Sequence, residues 1–433
     1  MTIRTLASLC VLHFVVLLPC SLRAEVPADG WVVWHSNRAD AQHDIYLMRA
    51  DGSEVRRLTQ EGGTYPMWSP DGHWIAYRHT ADNTVRVIRW DLSESKQVCD
   101  GFPAFWLQDG SGVVCGEPND GFEDGRSLAN TYTLVNPDTG ESRVLFHRDD
   151  FAQVQGGHLI PGGMTRDGRR ITAWAFGLFG EGYQADNGFF QSEHASVVLD
   201  MNDKSKLYFL GPGCLTATSP FGTKVYHVSR EGPTAPDIFS LDLNDLATRQ
   251  SYVIELGNPN EDWGHEYFPN ISNDNRWLVY GGSNNCHPWF DCDYEIFIHK
   301  LGAPPTERTR LTEDPANDGF PTIFVGELWK PGTPISAFDA GAMDGGDSRI
   351  DAGALDAPSV ADDTAIAPVD ATAGVAIETA SGDSPATDRP LVEPAPAHKG
   401  GSGCNMATST RTRAPIRLLW VVLALGLRPR RKR

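Results

Sequence analysis

One stretch of the chain recurs along its length, and what recurs is a pair of β-strands joined by a tight turn. In Tyr65-Pro-Met-Trp-Ser-Pro-Asp-Gly-His-Trp-Ile-Ala-Tyr77 an apolar strand enters a Pro-Asp-Gly turn and a second apolar strand leaves it. Pro presets the φ of the first corner and Gly accepts the positive φ, so the turn from Ser69 to Gly72 predicts a hairpin. Degraded copies begin at Phe102, Ile160, Leu215 and Tyr267: Phe102-Pro-Ala-Phe-Trp, Ile160-Pro-Gly-Gly-Met, Leu215-Thr-Ala-Thr-Ser-Pro and Tyr267-Phe-Pro-Asn-Ile. A unit this small cannot bury its apolar face alone, so the copies must pack against one another.

Second hairpins of alternating residues lie between the copies. The clearest is Asp44-Ile-Tyr-Leu-Met-Arg-Ala-Asp-Gly-Ser-Glu-Val-Arg-Arg-Leu-Thr59, echoed from Tyr132 to Leu145, by Asp237-Ile-Phe-Ser-Leu-Asp242, and by Glu295-Ile-Phe-Ile-His299 with Thr309-Arg-Leu-Thr312. Four strands per unit, with no long helical pattern between them, predict an all-β propeller of four-stranded blades; a sandwich is the alternative. A sixth first strand, Asp318 to Val325, has no second strand after it, whereas the chain opens with Trp31-Val-Val-Trp34, a second strand without a first. The two ends are expected to complete one blade and hide each other's edges, giving six blades.

The Tyr-Pro-x-Trp-Ser-Pro-Asp-Gly segment, with Asp-Ile-Tyr-Leu-Met and Arg-Leu-Thr just before it, resembles the WD40-like repeat of the TolB propeller family over roughly residues 31 to 330. The resemblance implies the propeller fold. Later copies depart from it: the turn Ser272-Asn-Asp-Asn275 lacks the Pro, and an insertion runs from about Leu178 to His194. TolB's separate N-terminal domain has no counterpart here, so its role in the Tol-Pal envelope system is not carried over.

Both ends read as export signals. Arg4, an apolar run from Leu6 to Leu18, and small Ala24 before a polar stretch predict a signal peptide over residues 1–24. A lipoprotein reading at Cys20 meets Pro19 where a small residue is wanted. The propeller then spans 25–330. From 331 to 403 the residues are mostly Ala, Asp, Gly, Pro, Ser and Thr, which cannot bury enough apolar surface to offset chain entropy, and a disordered acidic stalk is expected. Near-repeats such as Asp339-Ala-Gly-Ala-Met-Asp344 lack the Asp alternation and closing Glu of an EF-hand calcium loop. Residues 404–433 hold Cys404 after Gly-Ser-Gly, an apolar run from Leu418 to Leu427, and Arg428-Pro-Arg-Arg-Lys-Arg433. Ten apolar residues reach about 15 Å as a helix, half of a bilayer core, and the basic end would stay on the cytoplasmic side. This order resembles the myxobacterial C-terminal sorting signal, which implies a processing enzyme of the sortase-like kind, lipid attachment at Cys404, and a protein held at the outer membrane or cell surface. A short transmembrane tail is the alternative.

The formal net charge is −19, and losing the ten basic side chains of the two end segments would move it to about −29. Such a surface repels nucleic acid and anionic membranes, and the membrane is reached only through the anchor. Of the eight cysteines, five lie in the propeller. Cys286-His-Pro-Trp-Phe-Asp-Cys292 closes a short loop suited to a disulfide, since one His between two Cys leaves zinc short of ligands. Cys99 with Cys115 is a second candidate pair, leaving Cys214 single.

The residues just before each first strand should stand at the mouth of the central channel: Thr64, Asp100, His158, Cys214, His265 with Glu266, and Asp318. His158, His265 and Glu266 would bind a divalent metal or move a proton if they converged there. Gly157-His158 before Pro161 is similar to propeller-type oligogalacturonide lyases, which implies a polysaccharide lyase or hydrolase; that family's His-x-His metal pair has no counterpart in this chain. Gly-x-Ser-x-Gly, His-Glu-x-x-His and phosphate-loop patterns are also missing, and no cofactor is expected. The favoured expectation is a binding module, not an enzyme, for an envelope protein or an extracellular carbohydrate. Trp263, Tyr267, Trp289 and Phe290 are its candidate contact anchors.

Overall fold

The computed structural model describes residues 25–117, 129–154, 157–176, 194–229, 236–246, 251–254, 263–284, 286, 289–304 and 306–330. The segments expected to be a signal peptide, a stalk and a sorting signal with Cys404, and most of the 178–194 insertion, lie outside the described residues. Within them the regular structure is almost entirely strand, broken by two 3₁₀ turns at Arg148–Asp150 and Ala152–Val154, and no helix is long and apolar enough to cross a membrane.

The strands follow the repeat. The first sheet holds β1 (Gly30–Ser36), β2 (Asp44–Arg49) and β3 (Arg56–Arg57) in the order β23-β1-β2-β3, its first strand, β23 (Asp318–Val325), arriving from the far end of the propeller. Next come β4 (Thr64–Trp68), β5 (Ile75–His79), β6 (Thr84–Ile88) and β7 (Ser95–Asp100), then β8 (Phe102–Trp106), β9 (Val113–Gly116), β10 (Thr131–Val135) and β11 (Ser142–His147). A seven-stranded sheet contains β12 (His158–Met164), β13 (Arg170–Phe176), β14 (His194–Asp200), β15 (Leu207–Thr218), β16 (Lys224–Ser229), β17 (Asp237–Asp242) and β18 (Ser251–Ile254). The last sheet is β19 (His265–Ile271), β20 (Trp277–Ser283), β21 (Tyr294–Lys300) and β22 (Arg308–Arg310).

Six separate blades are therefore not what forms: the strands group into five sheets. The physical reason is β15, a single twelve-residue strand that serves two antiparallel ladders. Its first half, through Pro212, pairs with β14, and its second half, from Gly213, pairs with β16. No turn separates the halves, so two four-stranded units fuse. The closure expected between the chain ends is present: Gly30 faces Val325 and Ser36 faces Asp318 across β1 and β23. The innermost strands touch in a closed cycle, β23 to β4, β8, β12, β15, β19 and back to β23, around the central channel.

Two local devices recur. In the first hairpin turn Ser69 Oγ donates to Asp71 Oδ1 at 2.5 Å and accepts from Trp74 N at 2.9 Å, while Gly72 takes φ +69°. The turn without Pro keeps the arrangement: Ser272 Oγ donates to Asp274, and Asn275 adopts φ +59°. The hydroxyl–Asp pair, more than the Pro, defines the turn. The second device explains the spacing from Asp44 to Arg57-Leu-Thr59. Asp44 is buried and accepts from Thr59 Oγ1 at 2.8 Å, from Gly62 N at 3.1 Å and from Arg57 Nη2, while Thr59 Oγ1 accepts from Ile45 N at 2.9 Å. Glu295, Arg310 and Thr312 repeat it with Ile296 N. A buried carboxylate is tolerated because a cation and a hydroxyl saturate it.

Apolar side chains fill the space between neighbouring units. Trp34, with Val32 and Tyr46, packs on Trp277, Ile296 and Ile298 of the preceding sheet, and Trp174 joins Tyr267, Phe268 and Trp289. Both disulfides form, Cys99–Cys115 and Cys286–Cys292. The first ties β7 to β9 across a junction between sheets. Cys214, expected to be single, is buried and itself in disulfide form.

Candidate functional site at the channel mouth

Each innermost strand begins at the channel mouth, and several begin in the same unusual way. Tyr65, Phe268 and Phe320, each followed by Pro, have φ of +54°, +58° and +52°, and Leu215 has +49°. Bulky residues avoid this left-handed region, and the following Pro restricts them further. The ladders show how it is absorbed: pairing slips between Thr64 and Met67, between Cys214 and Thr216, and between Tyr267 and Asn270, so the bulged residue is left out of register. A bulge turns its side chain away from the pleat. Here it brings three aromatic rings together.

The rings meet around Phe320. Phe268 stacks on it at 4.1 Å between centroids, Tyr65 stands edge-on at 4.6 Å, and Trp289 at 5.5 Å. Phe290 completes the group at 5.9 Å from Tyr65. Trp289 and Phe290 belong to the loop that the Cys286–Cys292 bond closes, and Asn317 Nδ2 holds that loop by donating to the carbonyls of Trp289 and Cys292. Tyr65, Phe290 and Phe320 remain partly exposed, whereas Phe268 and Trp289 are buried beneath them.

Two histidines lie inside the group. His35, at the end of β1, is fully buried, stacked on Phe290 at 5.4 Å and 4.9 Å from the ring of His43. Its Nδ1 accepts from Tyr65 N at 3.5 Å, and its Nε2 packs against the α-carbon of Gly319, where any β-carbon would come within 2.7 Å. Burial, and then the neighbouring His43, hold His35 well below the usual imidazole range; burial lowers His43 too, against the Asn317 side chain that bonds its Nε2 at 2.9 Å. Burial likewise pushes the Tyr65 phenol up to about 12, with Arg78 working against it. Near neutral pH the mouth is an uncharged aromatic surface. Asp318 beneath it is paired with Arg38 at 2.5 Å.

The residues singled out from the sequence divide. His265 and Glu266 are consecutive on β19, while His158 opens β12, and β15 stands between those two strands in the ring. Glu266 is fully buried and turned to the adjacent unit: its Oε2 accepts from Ile238 N at 3.3 Å and its Oε1 lies 4.0 Å from Arg308 Nη1. Burial, then Asp237, raises its pKa well above the carboxylate range. Among the described residues no three His, Cys, Asp or Glu side chains gather so as to hold a metal ion. Of the four expected anchors, Tyr267 and Trp289 are core residues, while Phe290 and Trp263 stay partly exposed, Trp263 under Arg310 at 4.3 Å. His35, His43, Tyr65, Phe320 and Asn317 were not anticipated. A signal existed in the aromatic-Pro pair that opens four first strands, but the sequence does not disclose that those pairs bulge.

No family model matches the chain, and no curated protein matches it. Solved structures do. TolB from Acinetobacter baumannii is similar at 15% identity and a TM-score of 0.48, over 69% of this chain and 68% of that one. A protein assigned as TolB from Agrobacterium tumefaciens gives 15% and 0.43, over 68% and 92%. An oligogalacturonate lyase in complex with manganese gives 14% and 0.37, over 65% and 74%. The solved structures that this chain resembles thus include TolB-like β-propellers.

Proposed function

We propose that this protein is a binding module: a propeller exported to the cell envelope, tethered there through Cys404, that receives an envelope protein or an extracellular carbohydrate at its channel mouth. The observation that carries this reading is the trio Tyr65, Phe268 and Phe320, bulged at positive φ so that their rings gather with Phe290 at one opening. Strain of this kind persists where the surrounding structure holds it, and it concentrates at ligand sites. Partly exposed aromatic rings on a rigid frame are the usual anchors of recognition. A channel-site lyase or hydrolase is the weaker reading, because Glu266 is fully buried and its carboxylate accepts from Ile238 N.

Two measurements test the parts separately. Retention of the purified protein on envelope fractions and on immobilised extracellular polysaccharides is expected to fall roughly tenfold or more in a Tyr65→Ser, Phe290→Ser double variant that melts like the parent. Retention equal to the parent's would remove the mouth from the function. For the tether, mass spectrometry of the protein isolated from cells is expected to find a mature chain that starts near Glu25 and ends at a lipid-bearing Cys404. A chain still carrying Arg433 would sink the sorting signal and the processing enzyme with it.

A further inference from the structure

Acidic side chains border the aromatic group of the mouth. Asp291 follows Phe290 in the disulfide loop, and Glu313 and Asp314 lie in the segment that leads from β22 to Asn317, whose side chain holds that loop. A bridge between Tyr294 and Asn317 sets the two segments side by side. Asp291 and Glu313 are exposed and Asp314 is partly exposed. Among the described residues none of these three side chains has an ion pair or a hydrogen-bond partner. Three guanidinium groups of this end are engaged elsewhere: Arg38 with Asp318 at 2.5 Å, Arg78 with Asn83 Oδ1 at 2.6 Å, and Arg310 with Glu295 at 2.6 Å. Burial raises the carboxyl of Asp293 beside them, Arg310 pulls against that and Asp314 adds to it, so Asp293 already has a cation within reach.

Elsewhere the chain covers exposed rings with its own cations. The three partly exposed tryptophans among the described residues show it: Arg56 lies 4.9 Å from the Trp90 centroid, Arg310 4.3 Å from Trp263 and Arg89 4.2 Å from Trp329. Tyr65, Phe290 and Phe320 are partly exposed as well, and no cation of the described residues stands over them. The face of an aromatic ring is electron-rich and attracts a cation, by about 0.5–1 kcal/mol at an exposed site. Carboxylates at its border pull in the same direction.

We infer that the mouth receives a lysine- or arginine-rich segment of a partner protein, its cations set on the Phe290 and Phe320 rings and paired with Asp291, Glu313 and Asp314. The inference rests on the binding-module reading and narrows its partner to a basic protein. Lys and Arg bring an apolar stem as well as a charge, so one side chain covers a ring and still reaches a carboxylate, and guanidinium groups stack on aromatic faces. A chain of net charge −19 also draws a basic partner in from a distance.

Calorimetric titration of the purified protein with a peptide of alternating Arg and Gly, its Glu-Gly and Ser-Gly counterparts, and a chitosan oligosaccharide tests this. The basic peptide is expected to bind most tightly, and added salt to weaken it. An Asp291→Asn, Asp314→Asn variant should lose roughly five- to tenfold in affinity and a Phe290→Ser variant about threefold, both at the parent's melting temperature. A Glu141→Gln, Glu327→Gln variant removes the same charge at the opposite end of the strands and should keep the parent's affinity. The inference is overturned if the basic peptide binds no better than its counterparts, if chitosan binds more tightly, if the two charge variants weaken binding alike, or if Phe290→Ser leaves it unchanged. The binding-module reading stands or falls apart from this, on whether envelope retention survives the Tyr65→Ser, Phe290→Ser exchange.

Discussion

A chain begun at Asn37, and so lacking β1, is expected to yield no cooperatively folding propeller. β1 lies between β23 and β2, and its removal strips both of hydrogen-bonded partners. It also withdraws Trp31, Val32, Val33 and Trp34, all buried. At about 1.5 to 3 kcal/mol for each large apolar side chain, four such losses come to roughly 6 to 12 kcal/mol. Domains of this kind are stable by only about 5 to 15 kcal/mol, so the loss approaches the whole. Circular dichroism and size-exclusion chromatography of the truncated chain read the result, and a synthetic peptide of residues 29–38 should restore a sharp melting transition by re-entering the vacant lane. A soluble monomer that melts cooperatively without the peptide would show that the remaining sheets hold the ring unaided.

The second large effect is electrostatic. Glu295 is buried at the junction between two sheets, and burial raises its carboxyl to about 7 against the opposing pull of Thr312 and Arg310. The folded protein therefore keeps a proton that the unfolded chain has already released between 4.5 and about 7. That proton stabilises the fold, and the advantage is lost as pH rises through this window. Arg310 is 30% exposed and admits solvent to the pair, which reduces the loss to something on the order of 2 kcal/mol. A Glu295→Gln variant is expected to match the parent near pH 5 and to exceed it by about that amount near pH 8, read from urea melts. Comparison with the parent is essential, because His35 and His43, with lowered values, lose stability in the opposite direction as pH falls. A stability difference that does not change with pH would mean that Glu295 stays ionised throughout.

Much of the fold was legible because its instructions are local. The Ser-x-Asp-Gly turn specifies a hairpin within six residues, and the Asp44-to-Thr59 spacing specifies a carboxylate latch within sixteen. Even the long-range closure could be read, since a first strand without a second and a second without a first can satisfy only each other. The fusion of two units through β15 was not legible, for Gly211-Pro212-Gly213 at its middle reads as a turn, yet the strand runs through it into the next ladder. The mouth was harder still. Its members come from β1, β4, β19, β23 and a disulfide loop, and only the ring places His35 beside Phe320. His158, His265 and Glu266 looked chemical in one dimension; in three, Glu266 spends its carboxylate on the backbone of β17.

The clasp also decides how the molecule bears load. β23 leads directly into the segment from Gly326 to Lys330 and has a single ladder partner, β1, with side-chain hydrogen bonds to Trp68, Asn270 and Asn273 besides, and among the described residues no disulfide joins it to β1. Tension on the carboxyl side thus enters through the one seam of the circle that is closed without a chain connection, by hydrogen bonds and apolar packing. Under drag the circle would part at that seam first, and the remaining sheets would open as an arc still threaded in order, free to close again when the pull relaxes.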